Sequence, residues 1–194
     1  MPYPTDNADL LARAARIRLA CFDVDGTLTD GRLVYDADGR ELKAFHALDG
    51  LGLKLLQSAG VAVALVTARR SVVTELRAKE LGIPAHTHVH DKLARTCQIA
   101  GELGIGLEAV AFMGDDLADL SALQACGLAV APANAHPWTA ARVHWITRAR
   151  GGLGAARELC DLILAAQGHV PRLLGEAEAG AGLLDAALKH GAQA

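Results

Sequence analysis

Five short apolar runs, separated by segments long enough for helices, constrain the fold of this chain most. The runs are Ile17–Asp23, Gly60–Val66, Val110–Met113, Leu128–Ala131 and Val143–Thr147. Uniformly apolar strands are typical of a parallel sheet that helices cover on both faces, because neither face of such a sheet meets water. The sequence therefore predicts an α/β protein with a mainly parallel central sheet.

Segments with helical periodicity fill the intervals between these runs. A helix is expected before the first run, and Ser71–Leu81 and Lys92–Leu103 suit amphipathic helices that are each closed by a glycine. The last helix is the clearest of the set. Its apolar stripe ends at Gly168 and consists of Leu153, Ala156, Leu159, Ile163 and Leu164.

One segment breaks the alternation of strands and helices. Leu33–Tyr35 and Glu41–His46 flank Asp36-Ala37-Asp38-Gly39, which is a good turn signal. The pattern predicts a β-hairpin over about residues 31–46 that projects just beyond the first strand. Residues 1–168 are assigned to one domain that includes the hairpin. The Ala/Gly-rich residues 169–194, with a weak helical segment at Leu183–Leu188, are expected to form a flexible tail.

Composition and charge exclude several classes of protein. The 194 residues are 52% apolar and 21% charged, as in soluble globular proteins. A formal charge of −3 without a Lys/Arg-rich run argues against a nucleic-acid partner, and no apolar run reaches the ~18–20 residues of a membrane span. The start of the chain has no features of a secretory signal, and the four cysteines form no CxxC pair. We therefore expect a cytoplasmic protein.

Two carboxylates follow the first predicted strand directly, in Asp23-Val24-Asp25-Gly26-Thr27. Side chains two residues apart on a strand share a face, so both carboxylates can point to one place at the carboxyl end of the sheet. Ligands bind at that edge in open α/β sheets. Taken alone, Asp-x-Asp-Gly is also a common fragment of turns and calcium-binding loops, although the preceding apolar strand argues against that alternative.

Further polar residues fall at other strand ends and helix starts. They are Thr67 at the end of the second apolar run, Lys92 at the start of a helix, and Gly114-Asp115-Asp116-x-x-Asp119 after the third run. Because each lies at such a boundary, all of them can converge on one rim of the sheet. A lone Lys92 would be interpreted as a solvated charge and a lone Thr67 as a strand-end hydroxyl. As a set, they predict a functional site.

These four motifs, in this order, resemble those of the haloacid dehalogenase superfamily of phosphohydrolases. The resemblance implies that Asp23 attacks phosphorus and forms an aspartyl-phosphate. It implies that Asp25 protonates the leaving alkoxide and then deprotonates the water that hydrolyses the intermediate. Thr67 and Lys92 would hold the phosphoryl oxygens.

The same resemblance implies a magnesium cofactor. Its expected ligands are a carboxylate oxygen of Asp23, the backbone carbonyl of Asp25, and Asp115, which are the hard oxygen ligands that Mg²⁺ prefers. The ion would allow a carboxylate to approach an anionic phosphate. Asp119 is expected to orient Lys92 or a metal-bound water.

The spacing of the motifs leaves no room for a cap domain. Asp23 and Thr67 are 44 residues apart, and Lys92 and Asp115 are 23 apart, enough for the elements already predicted but for no inserted domain. The chain is thus similar to the capless subfamily, in which neighbouring subunits of a tetramer shield the site. The resemblance implies a Rossmann-like three-layer sandwich with no cap domain, and a homotetramer in which the hairpins form contacts between subunits.

Within that subfamily, residues 15–168 resemble the 3-deoxy-D-manno-octulosonate 8-phosphate phosphatases. The matching segments are Asp23-Val-Asp-Gly-Thr-Leu-Thr-Asp-Gly31, Glu41-Leu-Lys-Ala-Phe45, Asp49-Gly50, Gly114-Asp-Asp116 and Gly151-Gly152-x-Gly-Ala-x-Arg157-Glu158-x-Cys160-Asp-Leu. The substrate implied is a small phosphorylated sugar acid, whose carboxylate would match guanidinium groups. The expected substrate-binding residues are His46, Asp49, Gly50, Lys54, Arg69, Arg77 and Lys92.

Departures from the family pattern leave alternatives open. The hairpin exit reads His46-Ala-Leu48-Asp49-Gly50, without the family's arginine, and Lys54 stands where arginine is usual. A nine-carbon ulosonic acid 9-phosphate is therefore an alternative substrate, and a non-enzymatic assembly module with a vestigial site is an alternative function. A response-regulator receiver also combines acidic residues, Thr, Lys and magnesium, but its phosphate-accepting Asp ends the third strand and it has nothing in the place of Asp25.

Three histidines alternate at positions 86, 88 and 90, directly before Lys92. On a strand, His86, His88 and His90 would share one face. A zinc site is an alternative interpretation, but no cysteine or acidic partner at ligand spacing supports it. We favour exposed or substrate-adjacent histidines.

Overall fold

The computed structural model describes residues 6–178, and its main feature is a sheet of six strands in which every neighbouring pair is parallel. The strands, in sheet order, are β5 (Ala85–His86), β4 (Ala62–Val66), β1 (Leu19–Phe22), β6 (Val110–Met113), β7 (Leu128–Ala131) and β8 (Trp145–Ile146). The five predicted strands are all present. The sixth, β5, has only two residues and no apolar run of its own.

Helices cover both faces of this sheet. They are α1 (Ala8–Ala15), α2 (Ala47–Ser58), α3 (Val72–Leu81), α4 (Lys92–Glu102), α5 (Leu120–Ala125), α6 (Pro137–Ala140), α7 (Ala155–Ala166) and α8 (Val170–Glu178). Residues along β1 alternate between the two cores, as the two-residue repeat of a strand requires. Ala20 and Phe22 pack on the side of α1, α2 and α7, whereas Leu19 and Cys21 pack on the side of α4 and α5. The predicted three-layer sandwich is confirmed.

The ends of α3 and α4 follow from their capping residues. The side chain of Ser71 accepts a hydrogen bond from the backbone N–H of Thr74 at 3.2 Å, and the side chain of Asp91 accepts one from Ala94 at 2.9 Å. Such caps satisfy N–H groups that have no partner within a helix. Gly82 closes α3 in the left-handed conformation that glycine adopts without strain.

The predicted hairpin forms a separate two-stranded sheet from β2 (Val34–Tyr35) and β3 (Glu41–Leu42). Asp36 Oδ1 accepts hydrogen bonds from two backbone N–H groups of the turn, those of Asp38 and Arg40, at 3.0 and 2.8 Å. The hairpin therefore projects from the main sheet, and no cap domain is inserted within the described residues.

For the carboxyl-terminal part, one prediction was wrong, and the expected tail was wrong over residues 170–178. Leu153 does not belong to the last apolar stripe, because α7 begins only at Ala155 and the Leu153 side chain is 58% exposed. The expected tail begins instead with α8, whose Leu173 is buried in the core, so residues 170–178 have a packed partner. The Leu183–Leu188 segment lies outside the described residues. Between residues 6 and 178, no helix is long and apolar enough to cross a membrane.

Candidate active site

The candidate residues converge at the carboxyl edge of the sheet. Asp23 follows β1, Thr67 follows β4, Asp115 lies just beyond β6, and Lys92 is the first residue of α4. Because these strands are parallel, their carboxyl ends meet at one edge. Asp23, Thr67, Lys92 and Asp119 are between 1% and 7% exposed. Burying polar groups without partners is costly, so side chains buried to this degree need hydrogen-bond or charge partners close by.

Lys92 binds two carboxylates at once. Its Nζ lies 2.8 Å from Asp23 Oδ1 and 2.5 Å from Asp119 Oδ1. Burial opposes the positive charge, but the carboxylates of Asp23 and Asp119 outweigh it and raise the pKa of Lys92. The ammonium group is thus fixed beside Asp23 as a permanent cation, where it can meet the oxygens of a bound phosphoryl group.

Asp119 is tied down by the loop that carries Asp115. Its Oδ2 accepts hydrogen bonds from the backbone N–H groups of Asp115 and Asp116 at 3.0 and 3.2 Å. A Cβ on Gly114 would lie 2.3 Å from Asp119 Cγ, so the glycine makes room for this arrangement. These contacts support an Asp119 that orients Lys92.

Three carboxylates crowd together next to Lys92. One oxygen each from Asp23, Asp115 and Asp119 lie within 4.8 Å of one another. Burial and the nearby charge of Asp119 raise the pKa of Asp23. Burial, Asp119 and Asp116 raise the pKa of Asp115 to about 7. A cluster of hard anionic oxygens that repel one another fits a divalent cation such as Mg²⁺.

Gly26 makes the approach of Asp115 to the Asp23 loop possible. A Cβ on Gly26 would lie 2.1 Å from Asp115 Oδ2, and the backbone there is left-handed with a φ of 87°. Any larger residue would displace this carboxylate and strain the turn. The side chain of Asp25 is not part of the acidic cluster. The expected magnesium ligand from Asp25 is therefore its backbone carbonyl alone.

The Gly151-Gly152 segment supports the same loop from behind. A Cβ on Gly151 would lie 1.8 Å from the carbonyl oxygen of Gly26, and the N–H of Gly152 donates to the carbonyl oxygen of Thr27 at 3.0 Å. Two backbones can approach this closely only where side chains are absent. This contact explains why the closing glycine-rich motif accompanies the catalytic motifs although it contributes no catalytic group.

Asp25 is held by different partners from those of Asp23. Lys43, on the hairpin, donates a short hydrogen bond to Asp25 Oδ1, and Arg69 Nε lies 3.5 Å from Asp25 Oδ2. Sequence reasoning missed Lys43. A signal was available, because Glu41 and Lys43 lie two residues apart at the end of the hairpin and so share one face.

Glu41 links the hairpin to the loop after β4. Its carboxylate accepts hydrogen bonds from Arg69 at 3.0 Å and from Ser71 at 2.5 Å. Burial disfavours its charge, but the hydrogen bonds of Ser71 and Arg69 and the nearby Lys43 outweigh burial and lower the pKa of Glu41. Glu41 is therefore an anion that holds two cations, Arg69 and Lys43, beside Asp25.

Of the predicted substrate-binding residues, Arg69 and Lys92 lie at the site, but Asp49 and Gly50 do not face it. Asp49 is 2% exposed, and its two oxygens accept the backbone N–H groups of Gly154 and Arg157 at 3.2 and 2.8 Å. It therefore caps α7, and burial raises its pKa. Gly50 is buried, where a Cβ would lie 2.2 Å from Arg77 Nη2.

The remaining three residues of that set lie on or near α2 and α3. The Arg77 guanidinium sits 5.7 Å from the centre of the Phe45 ring, and its Nη1 lies 2.7 Å from Glu80. His46 has a buried Nδ1 without a hydrogen-bond partner among the described residues. Lys54 is half-buried on α2. Arg77 and His46 thus have polar atoms at or near the hairpin exit, while the structure gives Lys54 no contact with the acidic cluster.

The three alternating histidines do not share one strand face. β5 ends at His86, and His88 has a left-handed φ of 58°, which turns the chain before His90. The rings of His88 and His90 pack edge to face at 4.7 Å, and burial lowers the pKa of His86. None of these histidines belongs to the acidic cluster of Asp23, Asp115 and Asp119.

Known sequences resemble this chain over most of its length. The sequence profile of haloacid dehalogenase-like hydrolases matches residues 85–159. The 3-deoxy-D-manno-octulosonate 8-phosphate phosphatase of Escherichia coli K12 is 40% identical over 178 residues, which cover 90% of this chain and 93% of that relative.

Solved structures share the fold as well. A hypothetical protein from Xanthomonas campestris is 59% identical with a TM-score of 0.88, covering 91% of this chain and 98% of its own. The 3-deoxy-D-manno-octulosonate 8-phosphate phosphatase of Moraxella catarrhalis, solved with magnesium, phosphate and KDO, is 39% identical with a TM-score of 0.86. It covers 88% of this chain and 99% of its own.

Proposed function

We propose a substrate and a mechanism for this chain, which belongs to the haloacid dehalogenase-like hydrolases. Within them it belongs to the family of its 3-deoxy-D-manno-octulosonate 8-phosphate phosphatase relatives. It is a phosphatase that hydrolyses 3-deoxy-D-manno-octulosonate 8-phosphate with the help of Mg²⁺. One observation carries this proposal: Lys92 and the acidic cluster of Asp23, Asp115 and Asp119 meet at the carboxyl edge of the sheet.

The reaction proceeds in two displacements at phosphorus. In the first, an oxygen of Asp23 forms a bond to phosphorus while the bond to the sugar oxygen breaks, and Asp25 gives that oxygen a proton. In the second, Asp25 takes a proton from water, which attacks the aspartyl-phosphate and releases inorganic phosphate. Lys92 and the Thr67 hydroxyl hold the phosphoryl oxygens as charge shifts onto them.

Asp23, Asp115 and the backbone carbonyl of Asp25 would hold the magnesium ion. When bound, the ion supplies positive charge that lets the Asp23 carboxylate approach an anionic phosphate. Asp119 belongs to the same cluster but already binds Lys92 and two backbone N–H groups. We therefore assign Asp119 to the orientation of Lys92.

The substrate carboxylate needs cations beyond Lys92. Arg69 is suited because its side chain is 39% exposed beside Asp25 and a guanidinium can bind a carboxylate with two hydrogen bonds. Arg77, His46 and Lys54 lie at or beyond the hairpin exit and are assigned to the sugar end. Asp49 and Gly50 are assigned to the scaffold, for the reasons given above.

We also propose a homotetramer, built through the hairpin, in the cytoplasm. Four apolar side chains of the hairpin, each about half exposed, are Leu33, Val34, Tyr35 and Leu42. Such a cluster on a small hairpin is typical of a contact between subunits. A reducing compartment is supported by the four cysteines, all of them free thiols.

A substrate panel tests the proposed function. Phosphate release would be measured with eight- and nine-carbon sugar-acid phosphates, in Mg²⁺ and in EDTA. We expect the highest kcat/KM with the eight-carbon acid and no turnover in EDTA. A higher kcat/KM with a nine-carbon acid would move the assignment to that substrate. An enzyme inert toward the whole panel would refute the phosphatase function.

A further inference from the structure

Lys43 is buried although it lies on an exposed hairpin. Its side chain is 2% exposed, whereas the side chain of Arg40, in the turn of the same hairpin, is 74% exposed. A buried ammonium group is stable only when anions surround it. Lys43 Nζ contacts Asp25 Oδ1 and lies 3.3 Å from Glu41 Oε1.

This contact makes the two oxygens of Asp25 different. Oδ1 accepts the hydrogen bond of Lys43, whereas the buried Oδ2 accepts none from the residues that the structure describes. Arg69 Nε lies 3.5 Å from Oδ2, too far for a good hydrogen bond. Oδ1 therefore has a fixed hydrogen-bond partner, whereas Oδ2 has none among the described residues and can carry the proton that is transferred.

We propose that Lys43 is the positioning residue for Asp25, so that the hairpin sets the geometry of the proton transfer to the leaving sugar oxygen. The proposal rests on the function proposed above. As the bond between phosphorus and the sugar oxygen breaks, the proton on Asp25 Oδ2 moves to that oxygen, and Lys43 keeps Oδ1 in place. Lys43 touches neither phosphate nor sugar in this role.

Glu41 holds Lys43 in position from the other side. Its carboxylate contacts Lys43 and at the same time accepts hydrogen bonds from Arg69 and Ser71, which belong to the loop after β4. The hairpin therefore contacts the rest of the protein at two places, through Lys43 at Asp25 and through Glu41 at the Arg69–Ser71 loop. Proton-transfer geometry is sensitive to displacements smaller than one bond length, so this double attachment matters for the rate.

Leaving-group dependence separates positioning from a general structural role. An alkyl leaving group, as in a sugar phosphate, needs a proton from Asp25, whereas p-nitrophenolate leaves without one. We would measure leaving-group release in a single turnover, which reports only the transfer to Asp23. In Lys43→Met, release should fall about 100-fold for the sugar-acid phosphate, the size of a typical general-acid contribution, and less than about fivefold for p-nitrophenyl phosphate.

Graded variants keep the test decisive if Lys43→Met folds poorly. The ratio of the two rates should move least in Lys43→Arg, further in Lys43→Gln and furthest in Lys43→Met. Asp25→Ala should show the same selective loss, and Lys79→Met, an exposed lysine on α3, should show none. An equal loss for both substrates across the series would overturn the positioning role. A wild-type enzyme inert toward both substrates would instead refute the proposed function.

Discussion

Asp23 and Asp25 lie two residues apart but are held by different parts of the molecule. Asp23 is fixed by Lys92, at the start of α4, and by the acidic cluster at the ends of β1 and β6. Asp25 is fixed by Lys43 of the hairpin and by Arg69. The first set of contacts lies within the packed sheet. The second depends on a hairpin of two residues per strand, which would be marginal by itself.

This difference separates the two halves of the chemistry. The proposed nucleophile, Asp23, and its partner Lys92 are part of the folded core, so the proposed assembly should matter little to them. The proposed acid and base, Asp25, depends on how the hairpin is held, and the exposed apolar side chains of the hairpin are the proposed contact between subunits. We therefore expect changes at the hairpin to affect proton transfer and assembly, and changes at the sheet edge to affect phosphoryl transfer itself.

The largest effect is expected from the core side of this comparison. Asp23→Asn removes the proposed nucleophile but keeps the shape of the side chain, so kcat should fall on the order of 10⁴-fold or more. The loss should be the same for alkyl and aryl phosphates, because both need a bond to Asp23. Steady-state phosphate release measures it. A variant that kept a tenth of its activity would show that the nucleophile lies elsewhere.

Two charged substitutions on the hairpin test the proposed contact between subunits. Val34 and Leu42 are directly paired across β2 and β3 and are 46% and 52% exposed. Val34→Asp with Leu42→Asp should separate the subunits, because burying two carboxylates in an apolar contact is costly. Light scattering should then report single subunits.

Activity distinguishes assembly from folding in that double variant. Single-turnover release of the sugar leaving group should fall more than release of p-nitrophenolate, since the core site remains intact and p-nitrophenolate needs no proton from Asp25. Arg32→Ser, an exposed change on the same hairpin, serves as the control and should leave the oligomer unchanged. A double variant that still forms tetramers would remove the hairpin from the interface.

Gly26 and Gly39 have similar backbone conformations, but one lies in the loop after β1 and the other in the hairpin turn. Substitutions at these glycines therefore compare the two regions directly. Gly26 has a φ of 87° and lies against Asp115, whereas Gly39, at the hairpin turn, has a φ of 77° and nothing within 4 Å. Gly39→Ala should cost about 1–2 kcal/mol of unfolding free energy from left-handed strain alone. Gly26→Ala should cost about 1–3 kcal/mol more from the clash. Urea denaturation measures both. Equal costs would mean that Asp115 moves aside freely.

Magnesium and pH should give the smallest effect, a shift in thermal stability. The pKa of Asp115 in the folded protein is about 7, above its ordinary 3.8, so the metal-free native state binds more protons than the unfolded chain between these values. Its contribution to stability therefore falls as pH rises through this window. Mg²⁺ competes with those protons, so it should stabilise more at pH 8 than at pH 6.

The size of the shift follows from mass action. At a fixed Mg²⁺ concentration of ten times the Kd at pH 8, the Tm at pH 8 should rise by about 3–6 °C for a domain of this size. Calorimetry at the two pH values measures it, with Asp115→Asn as the matched control. A larger rise at pH 6 than at pH 8, or an undiminished rise in Asp115→Asn, would contradict the assignment of Asp115 to the metal.

Local sequence predicted the parts of the site that depend on local structure. Asp23, Thr67 and Asp115 lie at the carboxyl ends of three apolar runs. These ends lie close together because the strands of the sheet are parallel. Contacts between distant segments could not be predicted in this way. Asp49 caps a helix that begins more than a hundred residues later, and Lys43 reaches Asp25 only after the hairpin folds back.

Short or weakly patterned elements were also beyond sequence reasoning. β5 has two residues and exists because β4 offers it a partner. α8 packs on the core through one buried leucine, Leu173. For β5, a tertiary contact and not local preference decides the structure.

Trapping the phosphoryl group on the protein tests the central claim most directly. Asp25→Ala should still accept a phosphoryl group from p-nitrophenyl phosphate, which needs no acid, but should hydrolyse the intermediate slowly because the base is missing. Acid quenching and mass spectrometry should then find one added phosphoryl group on the peptide that contains Asp23. The same peptide from the Asp23→Asn/Asp25→Ala variant should carry none. Turnover with no phosphoryl group on that peptide, or a phosphoryl group on another residue, would contradict the account.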